Sequence, residues 1–581
     1  MANDLLPGQI AHVLMLAVPD AALLTWAALR WYERSVSRLM RPSAAPATAP
    51  SSLAPFTHDA TSTIDDRRVA GLSTAPTSAA PPASFELDID RASRAPSGVA
   101  PSPAARPHLA QDRIAAAYGA GASASALVLT AATLWGGWTA TPLAAWFAVW
   151  WSNLWPIVPT LSVLLVLSRR VTLGWTLGYL GLGGILIAMV TAANQLLHGR
   201  LNSAPLTNVP GLWRLVAVTA ALPLLFVAIS AWRRVRGIMP IAFASTLVFG
   251  IGSLLFQQAI VQGFNISAFR TAILDLSTWS SSETVYYGLF MIASLPVGWI
   301  CWRVLQRLAH AFRQGRFSDM QLVVDCWWVI ILATTTATEL VPRFGAAGIV
   351  VGALVFVAYR GVAEAVLHRP GTASARTPRL LLLRVFGHQA RTEALFDRVA
   401  QQWRFLGPVR LIAGTDLAAR TADPGDMLAL VSGGLEGQYL GRAEQVPGAV
   451  AALDDGAAPD GRFRVQELFC RDAAWKDALT ALLDASDVVL MDLRSFSEKN
   501  SGCLFEIEQL AARVPLERVV LIADRDVPEG GTTDLSLLRS TFAAAWGRHS
   551  GAPGRVRLVE VDRQDARDEA RVLHALASAV A

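Results

Sequence analysis

Runs of about twenty apolar residues, long enough to cross a hydrocarbon core about 30 Å thick, recur through the first two thirds of this chain. They fall at about 9–29, 120–138, 142–168, 172–195, 212–231, 238–262, 284–302, 322–341 and 345–366. Over 581 residues, 53% of them hydrophobic and only 16% charged, mean hydropathy is +0.39. That is too apolar for an ordinary soluble protein and predicts a polytopic membrane protein with about nine spans, eight if the Ala- and Gly-rich second run fails.

Arginine sets the expected orientation. Arg30, Arg34, Arg38 and Arg41 follow the first run, Arg169 and Arg170 the third, Arg233, Arg234 and Arg236 the fifth, and Arg303, Arg307, Arg313 and Arg316 the seventh. Every second loop is therefore basic, which places those loops in the cytoplasm. The expectation is a multi-pass protein of the plasma (inner) membrane, N-terminus outside, with everything after about residue 367 inside. The first run is not a cleavable leader, because its charges follow it. The net charge of +5 belongs to this topology and not to nucleic-acid binding. The lipid bilayer is the expected partner. Asp20 and Asp325 are acidic residues within or beside spans; they are read as interfacial or packing residues, with an ion path the sharper alternative.

Composition divides the chain into four parts: residues 1–41, a first span and its basic flank; 42–110, rich in Pro, Ala, Ser and Thr and expected to be a disordered tether; 111–370, the polytopic part; and 371–581. In the last part, short apolar runs alternate with amphipathic stretches. Strands are predicted at 380–386, 409–413, 463–469, 487–493, 518–523 and 556–561, and helices at 389–405, 425–436, 472–485, 501–514, 534–546 and 564–580. This alternation predicts βαβ units and a doubly wound, mainly parallel α/β sheet. Phosphate-loop and nucleophile-elbow signatures are absent. Cys301, Cys326, Cys470 and Cys503 show no metal-site spacing and no disulfide framework, so no metal site is expected.

The segment DVVLMDLRSFSEKNSGCLFEIEQL (487–510) is the one that points to chemistry. It reads as a strand, a polar loop and a helix with Glu506 near its start. A carboxylate placed at a strand-end crevice can stabilise a ribosyl cation or hold a sugar hydroxyl. It can equally cap or salt-bridge a first turn, where negative charge is favoured. Glu508, on the other flank of the helix, is expected to be more solvated. Gly387 and His388, after the first strand, can approach a phosphate. Asp492, Arg494 and Ser495 end the strand before the key helix; Arg494 suits a diphosphate or a nearby acid such as Asp492. Asn500 can contact a ribose, and Trp475 can stack on a base or pack in the core. Cys503 has no His partner nearby in sequence that would make it a nucleophile.

The same segments resemble a Toll/interleukin-receptor (TIR) domain of the nucleoside-deoxyribosyltransferase-like superfamily. Leu381–Phe386 with GHQARTEALFDRVAQQW is similar to that family's first strand and helix, 477–493 to its second helix and third strand, and 518–524 to the strand that follows. SGCLFEIEQL (501–510) is similar to the Cys-x-x-Glu helix that carries the catalytic Glu of NAD-cleaving TIR enzymes. The chain departs from the family in an extra block, 406–461, and in Asp492 and Arg494, which stand where small or hydroxyl residues are usual. The resemblance implies a TIR-like, flavodoxin-like domain that binds NAD or a related nucleotide as substrate, with no resident cofactor. It implies a possible NAD glycohydrolase with Glu506 catalytic, Gly387, His388, Asp492, Arg494, Ser495, Asn500 and Cys503 around the nucleotide, and self-association. The alternatives are a non-catalytic receptor or adaptor using the domain for protein contacts, and a transporter with a regulatory tail.

Overall fold

A computed structural model describes residues 25–39, 85–90, 105–135, 143–167, 169–198, 237–245, 263–345, 347–368, 377–384, 391–413, 424–471, 473–494, 501–524, 535–550, 553–561 and 566–580, with positions 23, 248 and 496. Two bodies share these residues, a layer of helices and an α/β sheet.

The sheet has eight strands: β1 (Phe85–Asp90), β2 (Leu380–Arg384), β3 (Val409–Ala413), β4 (Tyr439–Leu440), β5 (Val465–Cys470), β6 (Val488–Asp492), β7 (Val519–Asp524) and β8 (Gly554–Val561). Their order is β1-β8-β7-β6-β2-β3-β5-β4, and every pairing is parallel. The central strands are apolar because both faces are covered. One face packs on α7 (Trp475–Asp484), α8 (Ser501–Arg513) and α9 (Leu535–His549); the other packs on α5 (Arg391–Trp403) and α10 (Ala566–Val580). A short helix, α6 (Pro424–Val431), lies between β3 and β4. After β2 the chain builds outward through β3, then returns to β6 on the other side of β2. The reversal makes the β2–β6 boundary the topological switch point, where open α/β sheets place their ligands. The expected doubly wound domain is thus present, and its six predicted strands and helices lie close to the observed ones.

Two strands differ from expectation. β1 lies inside the stretch expected to be a disordered tether. Its alternation of Phe85, Leu87 and Ile89 is strand-like, Leu87 and Ile89 pack on the core, and Asp88 pairs with Arg555 at 3.0 Å. β4, just past the helix predicted over 425–436, is two residues long and held by β5. The extra block 406–461 supplies β3, α6 and β4, which extend the sheet on the side of β2 opposite β6.

The about nine spans expected of the helical part are not found. Among the described residues, two helices are long and apolar enough to cross a membrane, Ala110–Thr133 within α1 (Ala105–Thr133) and α4 (Ala347–Leu367). Length alone does not make a span: the run at 172–195 does lie in one continuous helix, Arg169–His198, but other runs are broken. The run at 142–168 breaks near Pro156 into helices of 11 and 8 residues. The run at 322–341 makes the 17-residue α3 (Asp319–Thr335) and then a π-helical turn, Thr336–Leu340. α2 (Ser282–Arg313) carries Pro296 in its interior. The run at 212–231, most of 9–29 and 238–262, and Asp20 lie outside the described residues.

α1 and α4 pack closely: a Cβ on Gly121 would sit 2.5 Å from the Tyr359 carbonyl oxygen, so only glycine allows the approach. Trp328 of α3 stacks on Tyr359 at 4.2 Å and donates to Thr160 at 2.9 Å. Asp325 pairs with Arg360 at 2.9 Å inside this layer, a packing role.

Helical layer and sheet meet through polar contacts. Arg404, after α5, donates to both carboxylate oxygens of Asp319 at the start of α3, with Nη1 3.0 Å from Oδ2. The Ser318 hydroxyl donates to Asp460 at 2.6 Å, Gln111 of α1 donates to Gln402 of α5 at 3.1 Å, and Arg471 donates to the Leu39 carbonyl.

Candidate functional site

The switch point is built from the end of β6 and the start of α8. β6 delivers Asp492, 1% exposed, and the next turn delivers Arg494. α8 turns Cys503, Glu506, Ile507, Leu510 and Ala511 inward at helical spacing. Most of this face is apolar, as its function in packing requires. Glu506 is the exception, a carboxylate one turn from Cys503 and one turn from Leu510, and only 3% exposed.

Its environment is distinctive. The Oε2 atom of Glu506 is buried without a hydrogen-bond partner among the described residues. Burial alone pushes its pKa up to about 8. Next to it, burial raises the Cys503 thiol well above its ordinary value, and the Glu506 and Asp492 carboxylates raise it further. Cys503 is therefore a protonated thiol and all four cysteines are free.

Asp492 and Arg494 form a closed pair. The Arg494 side chain donates to both carboxylate oxygens, Nε to Oδ1 at 2.9 Å and Nη2 to Oδ2 at 2.7 Å, while the Arg494 backbone N–H donates to Oδ1 at 3.0 Å. Arg494 lies 12% exposed, and Asp524 at the end of β7 adds to the negative field around it. Of the two roles open to Arg494 from sequence, the pair with Asp492 is the one formed, and a diphosphate would have to compete for it.

Glu508 has the other expected environment. It accepts from His549 at 2.6 Å and from Arg548, tying α8 to α9, and the Arg548 hydrogen bond holds its carboxyl below the usual range. Trp475 packs edge-on against Phe505 at 5.3 Å, with Lys476 over both rings. That is its core role.

Asp492, Arg494, Cys503 and Glu506 are therefore brought together. Gly387, His388, Ser495 and Asn500 lie outside the described residues, as do 385–390 and 497–500, which flank the switch point in sequence. A separate cavity of about 590 Å³ lies between the helical layer and the β3–β5 part of the sheet, and none of these four residues lines it. Sequence reading missed that cavity entirely. A signal was present in Glu467, a carboxylate within the strand VQELFC, where apolar residues are the rule.

No family model, curated protein or solved structure matches the chain.

Proposed function

We propose that this chain is a membrane-anchored effector whose α/β domain binds NAD or a related nucleotide at the β2–β6 switch point and cleaves its glycosidic bond. Glu506 is the catalytic group. One observation carries the reading: a fully buried carboxylate, unpartnered at Oε2 among the described residues, at the place where this sheet topology puts ligands. Such a group is costly to keep for packing alone, since even a neutral polar group buried without a hydrogen-bond partner costs about 1–3 kcal/mol.

The chemistry follows from its electrostatics. Cleaving a nicotinamide–ribose bond builds positive charge on the ribose ring. A desolvated carboxylate beside that ring stabilises the charge far more than a solvated one. Without substrate the raised pKa keeps Glu506 largely protonated near neutral pH. A cationic nicotinamide ring entering the site favours the ionised form, so binding itself readies the carboxylate. The resemblance of 501–510 to the TIR catalytic helix supports the same assignment. Anchoring rests on α1 and α4, which pack side by side, with the α1 N-terminus and the α4 C-terminus near the sheet domain; Arg113 of α1 bonds the Leu367 carbonyl at that end. The arginine-rich end of α2 lies there too, as a cytoplasmic placement requires.

The test uses the full chain in lipid nanodiscs at high protein density, following nicotinamide release from NAD. Glu506→Gln is expected to lower the rate by about 10²–10³-fold. Glu508→Ala is expected to leave it within about twofold, because that carboxylate serves the α8–α9 contact. Release that persists in Glu506→Gln rejects the assignment.

A further inference from the structure

Two helices reach the sheet domain carrying the same side chains at the same depth. Residues 25–39 are helical, and the Leu39 carbonyl at their end accepts from the Arg471 side chain, with Nε at 2.8 Å. α2 meets the sheet domain in the same way, its Phe312 carbonyl accepting from Arg464. Trp26, Arg30 and Arg34 stand 13, 9 and 5 positions before Leu39. Trp299, Arg303 and Arg307 stand 13, 9 and 5 positions before Phe312. At about 1.5 Å of rise per residue, each helix puts its Trp about 20 Å, and its two arginines about 14 and 8 Å, from the sheet-domain contact. Arg38 continues the first stripe by one further turn.

The matched positions face outward. Trp26 and Trp299 are 58% and 61% exposed, and Arg30, Arg34, Arg303 and Arg307 are exposed with them. Spacing of four keeps each Trp and its arginines on one stripe. The opposite faces pack inward: Tyr32 and Val36 with Met427 and Leu430 of α6, and Leu305 and Ala309 with Leu428 and Val431 of the same helix. In each helix the first arginine lies over the Trp ring one turn before it, Arg30 at 5.6 Å and Arg303 at 5.3 Å from the centroid.

The surroundings decide the partner. Away from the sheet domain, exposed apolar side chains precede each Trp: Leu23 in one helix, and Met291, Ile292 and Leu295 in the other. Toward the sheet domain the charge is basic. Between Trp299 and Gln314 there is no acid, and between Trp26 and Leu39 only Glu33, which pairs with Arg30 at 3.3 Å. Arg34, Arg38, Arg303 and Arg307 have no acidic partner among the described residues. Apolar residues, then an indole ring, then guanidinium groups follow the order of a bilayer read from acyl chains through the interface to the phosphates. A nucleic acid would match the arginines and leave the indoles and apolar stripes in water.

We propose that these two helices form a belt for anionic lipid. Arg34, Arg38, Arg303 and Arg307 bind headgroup phosphates of the leaflet on the sheet domain's side, and Trp26 and Trp299 sit one layer deeper, where headgroup meets acyl chain. The belt selects the charge of the headgroup, not the acyl chain. This inference rests on the anchoring half of the reading above and is independent of NAD cleavage.

The test is native mass spectrometry of the full chain released from nanodiscs holding equal amounts of phosphatidylglycerol and phosphatidylcholine with the same acyl chains. The chain is expected to retain phosphatidylglycerol over phosphatidylcholine by at least about tenfold. That preference is expected to shrink as salt is raised. Arg34→Gln, Arg38→Gln, Arg303→Gln and Arg307→Gln together are expected to bring the ratio within about twofold of parity. A charge-matched control (Arg442→Gln, Arg513→Gln, Arg518→Gln and Arg539→Gln) removes four exposed arginines of the sheet domain. It is expected to leave the ratio within about twofold of the unaltered chain. Melting temperature reports that each variant is folded; if the fourfold variant is not, Arg303→Gln with Arg307→Gln is expected to lower the ratio by at least about threefold. The proposal is overturned if the unaltered chain retains the two lipids alike, if the folded belt variant keeps the preference, or if the control loses it as fully. A chain that retains neither lipid overturns the anchoring reading as well, so the two failures are told apart.

Discussion

Two glutamates two positions apart on α8 have opposite fates, and the difference is one of orientation. Glu508 faces α9 and finds Arg548 and His549; Glu506 faces the core and finds apolar surface. Glu506 carries a folded pKa of about 8 against an ordinary value of 4.5. Between those two values the native state holds a proton that the unfolded chain has released. Stability therefore falls as pH rises through that window, and the full penalty is present above pH 8. Glu506→Gln removes the titration. It should flatten the pH dependence of chemical denaturation between pH 5 and 9 and raise stability at pH 9 by roughly 3–5 kcal/mol. The opposite slope is expected for NAD cleavage, with kcat/KM rising toward pH 8 as the carboxylate ionises. Little of this was legible beforehand. The spacing of α8 marked Glu506 as the flank of a buried stripe, but spacing cannot report whether an arginine reaches it, and at Asp492 one does.

At the scale of the element, legibility followed burial. β2, β3, β5, β6, β7 and β8 were readable because strands covered on both faces must be short, apolar and bounded by helices of 3.6 periodicity. β1 was hidden because six residues, three of them acidic and poor strand formers, stand in a background of Pro, Ala, Ser and Thr whose composition predicts a tether. β4, two residues long, has no pattern to read. β1 lies at the sheet edge and pairs with β8 alone. Ile89→Asp is expected to release it, at a cost of about 1–3 kcal/mol for one partly buried aliphatic side chain. Hydrogen exchange should then accelerate at the β8 amides that β1 protects, while β6 and β7 stay protected. Unchanged exchange in β8 would mean the strand is not held in solution.

For the whole molecule, the nine-span expectation shows what hydropathy omits. An apolar run fixes neither the continuity of a helix nor what covers it; α1 is half buried, largely by α4 and its neighbours, as a core helix would be. The joint between helical layer and sheet was not readable at all, since Arg404 and Asp319 are 85 positions apart. That pair is 2% and 23% exposed. Arg404→Ala leaves a half-buried carboxylate and should lower stability by about 3 kcal/mol or more. Limited proteolysis should then cut first at the seam, near Ser318 and Asp460, before either body unfolds. Cleavage elsewhere, with the seam intact, would show that the two bodies are joined by other contacts.

The register of the outermost strand also bears on biosynthesis. Phe85 lies opposite Gly554. Six residues made early must wait for almost the entire remaining chain before their partner exists. Contacts this distant in sequence form late and slowly. During that interval a strand with alternating Phe, Leu and Ile is available to any passing edge, including the finished β8 of a neighbouring copy. A nascent chain stalled before residue 554 is therefore the species in which exchange of this strand between molecules should first be seen.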